Sequence, residues 1–114
     1  MLFRSAAFAN GVSVIRGATR LVHKESHRAK VLQSEFAKCG VRIVWRQDEL
    51  KIYPAPIRSA TLNAHGDHRI AMAGAILGLG GNRIRVQGAS CVAKSYPRFF
   101  EDLMHAGARI TSMR

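Results

Sequence analysis

The chain has 114 residues, 47% of them hydrophobic and 22% charged, a balance that describes one folded domain and excludes two independent cores or a charge-rich disordered segment. Its 18 Lys and Arg against 7 Asp and Glu give a formal net charge of +11, so its surface attracts anions, while aromatics at 7% are sparse for sheet-based RNA recognition. No apolar run approaches the ~20 residues that span a bilayer, the N-terminal stretch is too broken for a signal peptide, and two cysteines without metal-type spacing, Cys39 and Cys91, fit a reduced, cytoplasmic setting.

In chain order, Leu2 to Asn10 reads as the end of a helix stopped by Gly11, followed by a short strand at Val12, Val14 and Ile15. From Lys24, apolar residues at Ala29, Leu32, Phe36 and Cys39 recur at helical spacing, and Gly40 stands where a C-terminal cap belongs. Val41, Ile43 and Trp45 then alternate with Arg42 and Val44. Gln47, Asp48 and Glu49 turn the chain toward Leu50, Ile52 and Tyr53, a hairpin that Pro54 and Pro56 end. Thr61 to Ala64 predicts another strand, and Asp67 is placed to cap a helix beginning near His68. That helix is rich in Ala and Gly from Ile70 to Leu79, so it has little bulk and is expected to lie buried. Arg83 to Val86 alternates as a strand, Gln87 to Ser90 reads as a loop, and Pro97 opens a last helix that Gly107 ends before a final strand at Ala108 to Ile110.

Helices and strands interleave without a glycine-rich dinucleotide loop, which removes support for a doubly wound nucleotide-binding fold. The similar rhythm of the two halves points to a repeated unit of roughly 50 residues.

Three polar clusters each precede a predicted helix: Lys24-Glu25-Ser26-His27-Arg28, Asp67-His68-Arg69 and Lys94-Ser95-Tyr96-Pro97. Helix N-termini present free N–H groups and partial positive charge, so cations there are intrinsically unfavourable unless they serve an anion. Arg28 and Arg69 offer planar forks for a carboxylate or phosphate, and Lys24 and Lys94 offer point charges. Glu25 is the exception, a carboxylate able to act as general acid or base if it reaches a substrate. His65, Asp67 and His68 lack a fourth partner at metal-ligand spacing and are not read as a metal centre. Cys91 reads as a small buried hydrophobe rather than a reactive thiolate beside Lys94, and Trp45 as a packing aromatic rather than a base-stacking one.

Taken together, KESHR, DHRIAMA and KSYPRFFEDL, in this order and at this spacing, resemble the C-terminal part of the 5-enolpyruvylshikimate-3-phosphate synthase family, the 3-phosphoshikimate 1-carboxyvinyltransferases. The resemblance covers about Gly11 to Ile110. It implies an α+β fold, part of one domain built of βαβαββ repeats, with about two repeats present. It also implies transfer of enolpyruvyl from phosphoenolpyruvate to the 5-hydroxyl of shikimate 3-phosphate, with release of phosphate, in aromatic amino acid biosynthesis and without metal or organic cofactor. Both substrates are polyanions, which suits the basic clusters. By resemblance, Lys24 contacts shikimate 3-phosphate and Glu25 donates the proton. Arg28, Arg69 and Lys94 hold phosphoenolpyruvate, His68 lines the same site, and Asp67 orients the loop and caps the helix.

Two departures from the family matter. His27 stands where the family motif usually has Asp, which removes a carboxylate able to pair with Arg28, so Arg28 is expected to be less well oriented. Family members are also much longer, so residues 1–114 are expected to be the C-terminal portion of a single enolpyruvyl transferase domain, inactive alone. The complementary part, as a separate chain, is the expected protein partner, because a sheet cut open exposes an edge. A small basic nucleic-acid-binding module is the alternative function, with steep salt dependence as its mark.

Overall fold

The computed structural model describes residues 7–17, 27–80 and 83–111, and period-two alternation builds its first sheet. Strands β1 (Ser13–Arg16), β2 (Arg42–Arg46) and β3 (Glu49–Tyr53) pair antiparallel in the order β1-β3-β2. In β3, Leu50 and Ile52 are buried while Lys51 between them is exposed, as side chains that alternate across a strand require. The register aligns Ile15 and Trp45 with Leu50, and Ile43 with Ile52, which gathers the apolar side chains on one face. The hairpin turns through Gln47 and Asp48, with Gln47 at φ 52°. Because β1 and β2 both run antiparallel to β3, they are parallel to each other, and the helix between them is a crossover.

That helix, α1 (Arg28–Lys38), buries Ala29, Leu32 and Phe36 as its apolar spacing predicts. Its N-cap is His27, whose Nδ1 accepts from the Lys30 N–H at 3.2 Å. The other end closes with Gly40 at φ 90°; the Gly40 and Val41 N–H groups donate to Ala37 and Phe36 carbonyls, each at 3.0 Å, the paired bonds of a Schellman cap. The positive φ at Gly40 is what calls for glycine there, since the nearest neighbour of an added Cβ, Arg58 Nε at 2.9 Å, belongs to a flexible side chain.

Strands β4 (Ala60–Asn63) and β5 (Ile84–Gln87) form a second, parallel pair, and α2 (His68–Leu77) crosses between them. The small side chains of α2 let it lie close to this sheet: a Cβ on Gly74 would sit 3.0 Å from Leu62 Cδ1 and 3.4 Å from Val86 Cγ2. A 3-10 turn over Gly78–Gly80 follows. Helix α1 packs on β2 and also touches β4 and α2, so Leu32 and Phe36 share one core with Leu50, Ile52, Leu62, Ile70 and Leu77. A smaller cluster joins Ala64, Ala71, Cys91, Val92 and Phe99.

Three expectations are corrected. Gln87 to Ser90 is not simply a loop: after Gly88 at φ 75° the chain winds into a 3-10 helix, Ala89–Lys94, held by Cys91 and Val92 burying themselves against α2. The last helix, α3 (Phe99–His105), starts after Arg98 rather than at Pro97. Ala108 to Ile110 has no regular structure, since alternating side chains make a strand only where a neighbour takes up the backbone groups. The helix expected over Leu2 to Asn10 lies mostly outside the described residues. The described elements thus run β-α-β-β and then β-α-β-α, an α+β arrangement matching the tail of one βαβαββ unit and the head of the next.

Candidate functional site

The turn before α2 places Asp67 in extended conformation, φ −100° and ψ 110°, with Oδ1 accepting from the Arg69 N–H at 3.0 Å. This is the expected N-cap. The same carboxylate also accepts from Arg28 Nε at 2.8 Å and Arg28 Nη2 at 3.0 Å. Arg28 is 7% exposed and Asp67 0%, so this is a buried, two-pronged ion pair joining the first turns of α1 and α2. The expectation that His27 leaves Arg28 poorly oriented is therefore overturned: Asp67 supplies the carboxylate from the other helix, and His27 keeps the capping task. Nor does Arg28 present an open fork, because two of its N–H groups already face Asp67.

The other predicted residues take different positions. His68 opens α2 and is half-buried, while Arg69 next to it is exposed and its guanidinium has no ion pair among the described residues. Lys94 is exposed at the last position of the 3-10 helix; its cluster precedes α3 as expected, and Lys94 also closes the 3-10 helix, an end where a cation is favoured by the helix dipole. Cys91 lies between charges: burial pushes its thiol up, with Lys94 pulling it down and Asp67 pushing it further up. It stays protonated, as the packing reading expects, and both Cys39 and Cys91 are buried and unbridged. Lys24 and Glu25 lie outside the described residues. Of the three turn residues considered as metal ligands, His65 faces Glu35 and Asp67 faces Arg28. Trp45 packs against the main core with the His27 ring edge-on at 4.8 Å, and its buried Nε1 finds no acceptor among the described residues.

The residue that the sequence reading missed is Glu35. It sits on the inward face of α1, 2% exposed, between Leu32 and Phe36. Its Oε1 accepts from the Asn63 N–H at 2.7 Å and from Lys38 Nζ at 2.8 Å, and His65 Nε2 lies 3.2 Å from Oε2. Burial pushes the carboxyl up, but the bonds from Lys38, Asn63 and His65 outweigh it and hold Glu35 below its ordinary range. A carboxylate seven residues after Arg28, within an apolar stripe, was the available signal.

With this geometry described, likeness to other proteins becomes informative. Residues 1–103 match the family model of EPSP synthase (3-phosphoshikimate 1-carboxyvinyltransferase). The chain is 43% identical over 110 residues to the 3-phosphoshikimate 1-carboxyvinyltransferase of Aeropyrum pernix, covering 96% of this chain and 26% of that protein. It is 39% identical over 104 residues to that of Campylobacter fetus, covering 91% of this chain and 24% of the relative. The solved EPSP synthase from Acinetobacter baumannii superposes with a TM-score of 0.88 at 30% identity, over 99% of this chain and 27% of that one. The chain spans about a quarter of the length of the curated relatives it matches.

Proposed function

The chain belongs to the EPSP synthase family, and from that premise we propose that it supplies one wall of an enolpyruvyl-transfer site, the wall that receives phosphoenolpyruvate. The observation that carries this reading is the buried Arg28–Asp67 pair next to an exposed Arg69 that has no ion pair among the described residues. Asp67 cancels the charge of Arg28, so among the described residues the positive charge without a counterion at the α2 N-terminus is Arg69, whose planar fork suits a carboxylate or a phosphate. Lys94 adds a second exposed cation on the 3-10 helix packed against α2. By family resemblance Arg28 and His68 belong to the same wall, Arg28 held in place by Asp67.

Lys24 and Glu25 complete the assignment by family resemblance. In the transfer, the methylene carbon of phosphoenolpyruvate takes a proton, for which Glu25 is the donor. The 5-hydroxyl oxygen of shikimate 3-phosphate bonds to the neighbouring carbon and gives up its own proton to a base. Loss of phosphate and of one methyl proton then restores the double bond. Lys24 holds shikimate 3-phosphate during these steps, and the cations stabilise the charge of the tetrahedral adduct.

Turnover needs the parts of such an enzyme that these residues do not span. The test is a titration of the 15N-labelled chain with phosphoenolpyruvate: amide shifts concentrated at His68, Arg69 and Lys94 are expected, together with no phosphate release from the two substrates. Arg69→Lys keeps the charge but loses the fork, so affinity for phosphoenolpyruvate should drop. Shifts absent from α2 and the 3-10 helix at saturating ligand would overturn the assignment, and steady phosphate release by these residues alone would show that they suffice for turnover.

A further inference from the structure

We propose that Glu35 is a positioning residue for this site, fixing the turn that carries Asp67, His68 and Arg69 against α1; the inference rests on the phosphoenolpyruvate-wall reading given above. Glu35 follows Arg28 by seven residues, two helical turns or about 10.5 Å along one face of α1. The segment from Asn63 to Asp67 is gripped at both places. At one end Glu35 takes the Asn63 N–H and faces the His65 ring; at the other, Asp67 takes the Arg28 guanidinium.

The turn between these grips is not one that the local chain favours. His65 and Gly66 both have positive φ, 53° and 69°, and a residue with a Cβ pays for that conformation unless its surroundings hold it there. The His65 N–H donates to Asn63 Oδ1 at 2.8 Å and the Asp67 N–H to the Ala64 carbonyl at 2.9 Å, so the turn is tied internally, and Glu35 anchors it from outside. The ladder explains why a side chain is needed. Ala64 donates its N–H to Gln87 on β5, so the neighbouring Asn63 N–H points to the other side of β4, where Glu35 receives it.

Stability alone does not call for this group. An apolar side chain between Leu32 and Phe36 would fill the core without the desolvation that a buried carboxylate incurs. What Glu35 does that a Leu cannot is accept the Asn63 N–H and face His65, the two contacts that set where α2 begins.

The experiment measures amide hydrogen exchange and phosphoenolpyruvate affinity on the full 114-residue chain and its Glu35→Gln, Glu35→Ala and His65→Ala variants. Glu35→Ala is expected to speed exchange at Asp67, His68 and Arg69 and to weaken phosphoenolpyruvate binding about tenfold, while amides of β2 and β3 keep their protection. Glu35→Gln, which retains an acceptor for Asn63, should recover part of both losses. Unchanged exchange at Arg69 in Glu35→Ala, or protection lost equally throughout the core, overturns the proposal. If Glu35→Ala does not fold, Glu35→Gln and His65→Ala decide by the same two readings. Absence of phosphoenolpyruvate binding by the unaltered chain counts against the wall reading, whereas exchange at residues 67–69 still decides the role of Glu35.

Discussion

Helices α1 and α2 both carry an arginine and no acid in the first turn, yet the two N-termini are stabilised differently. The α1 terminus has an exposed cap, the His27 ring accepting one N–H at 3.2 Å. The α2 terminus has Asp67, wholly buried, which caps its own helix and neutralises Arg28 of the other. One carboxylate therefore serves two helices, and the α1 terminus depends on a residue 39 positions away. The lesson is that unfavourable cations at helix ends do not each require a ligand: Arg28 is answered within the fold by Asp67, while Arg69 is exposed and has no ion pair among the described residues.

The strongest way to break this contrast is Asp67→Ala. It strips the cap from α2 and removes the buried carboxylate that takes two Arg28 N–H groups, so urea unfolding should show a loss of about 3–5 kcal/mol. A loss no larger than that of a simple cap would mean that Arg28 is not dependent on Asp67. Acid should act next, through Glu35. Its carboxyl is held below its ordinary range in the fold, so its contribution is fully present above the unfolded carboxylate value and disappears as pH falls through the lowered folded one. Stability measured from neutral pH downward should fall in that window, and Glu35→Gln should flatten the fall; an identical profile in the variant would remove Glu35 as the group responsible.

A smaller effect is expected at the exposed terminus. His27→Ala removes the Lys30 cap and the edge contact with Trp45 and should cost about 1 kcal/mol by the same unfolding measurement; a loss equal to that of Asp67→Ala would erase the distinction between the two ends. Smallest of all is Arg16→Ala. Its side chain is 81% exposed and pairs with Glu49 at 3.2 Å, so a change within about 0.5 kcal/mol is expected, and a larger one would show that surface pairs in this chain carry more than those of ordinary proteins.

Much of the architecture is legible in the sequence. The α1 stripe at Ala29, Leu32 and Phe36, the hairpin around Gln47 and Asp48, Asp67 as a cap and Gly40 as a stop all depend on neighbours within a few residues. The motifs KESHR, DHRIAMA and KSYPRFFEDL likewise pointed to the family. The misread places have a common cause. The 3-10 helix Ala89–Lys94 has no periodic signal and exists through the packing of Cys91 and Val92 on α2, so its start reads as a loop. Ala108 to Ile110 alternates like a strand but has no ladder partner among the described residues.

By itself, then, the sequence determined the kind of each main element, where most of them stop, and which basic residues stand near the helix starts, since spacing and capping are short-range properties of the chain. Only the tertiary structure decided which charges are spent within the fold. Whether Arg28 meets a substrate or Asp67, and whether Glu35 reaches the His65 turn, depends on α1 lying beside the β4–α2 connection. That proximity comes from burying Leu32 and Phe36 with Leu62 and Ile70, and burial is what makes the resulting ion pair and carboxylate grip specific instead of solvent-screened.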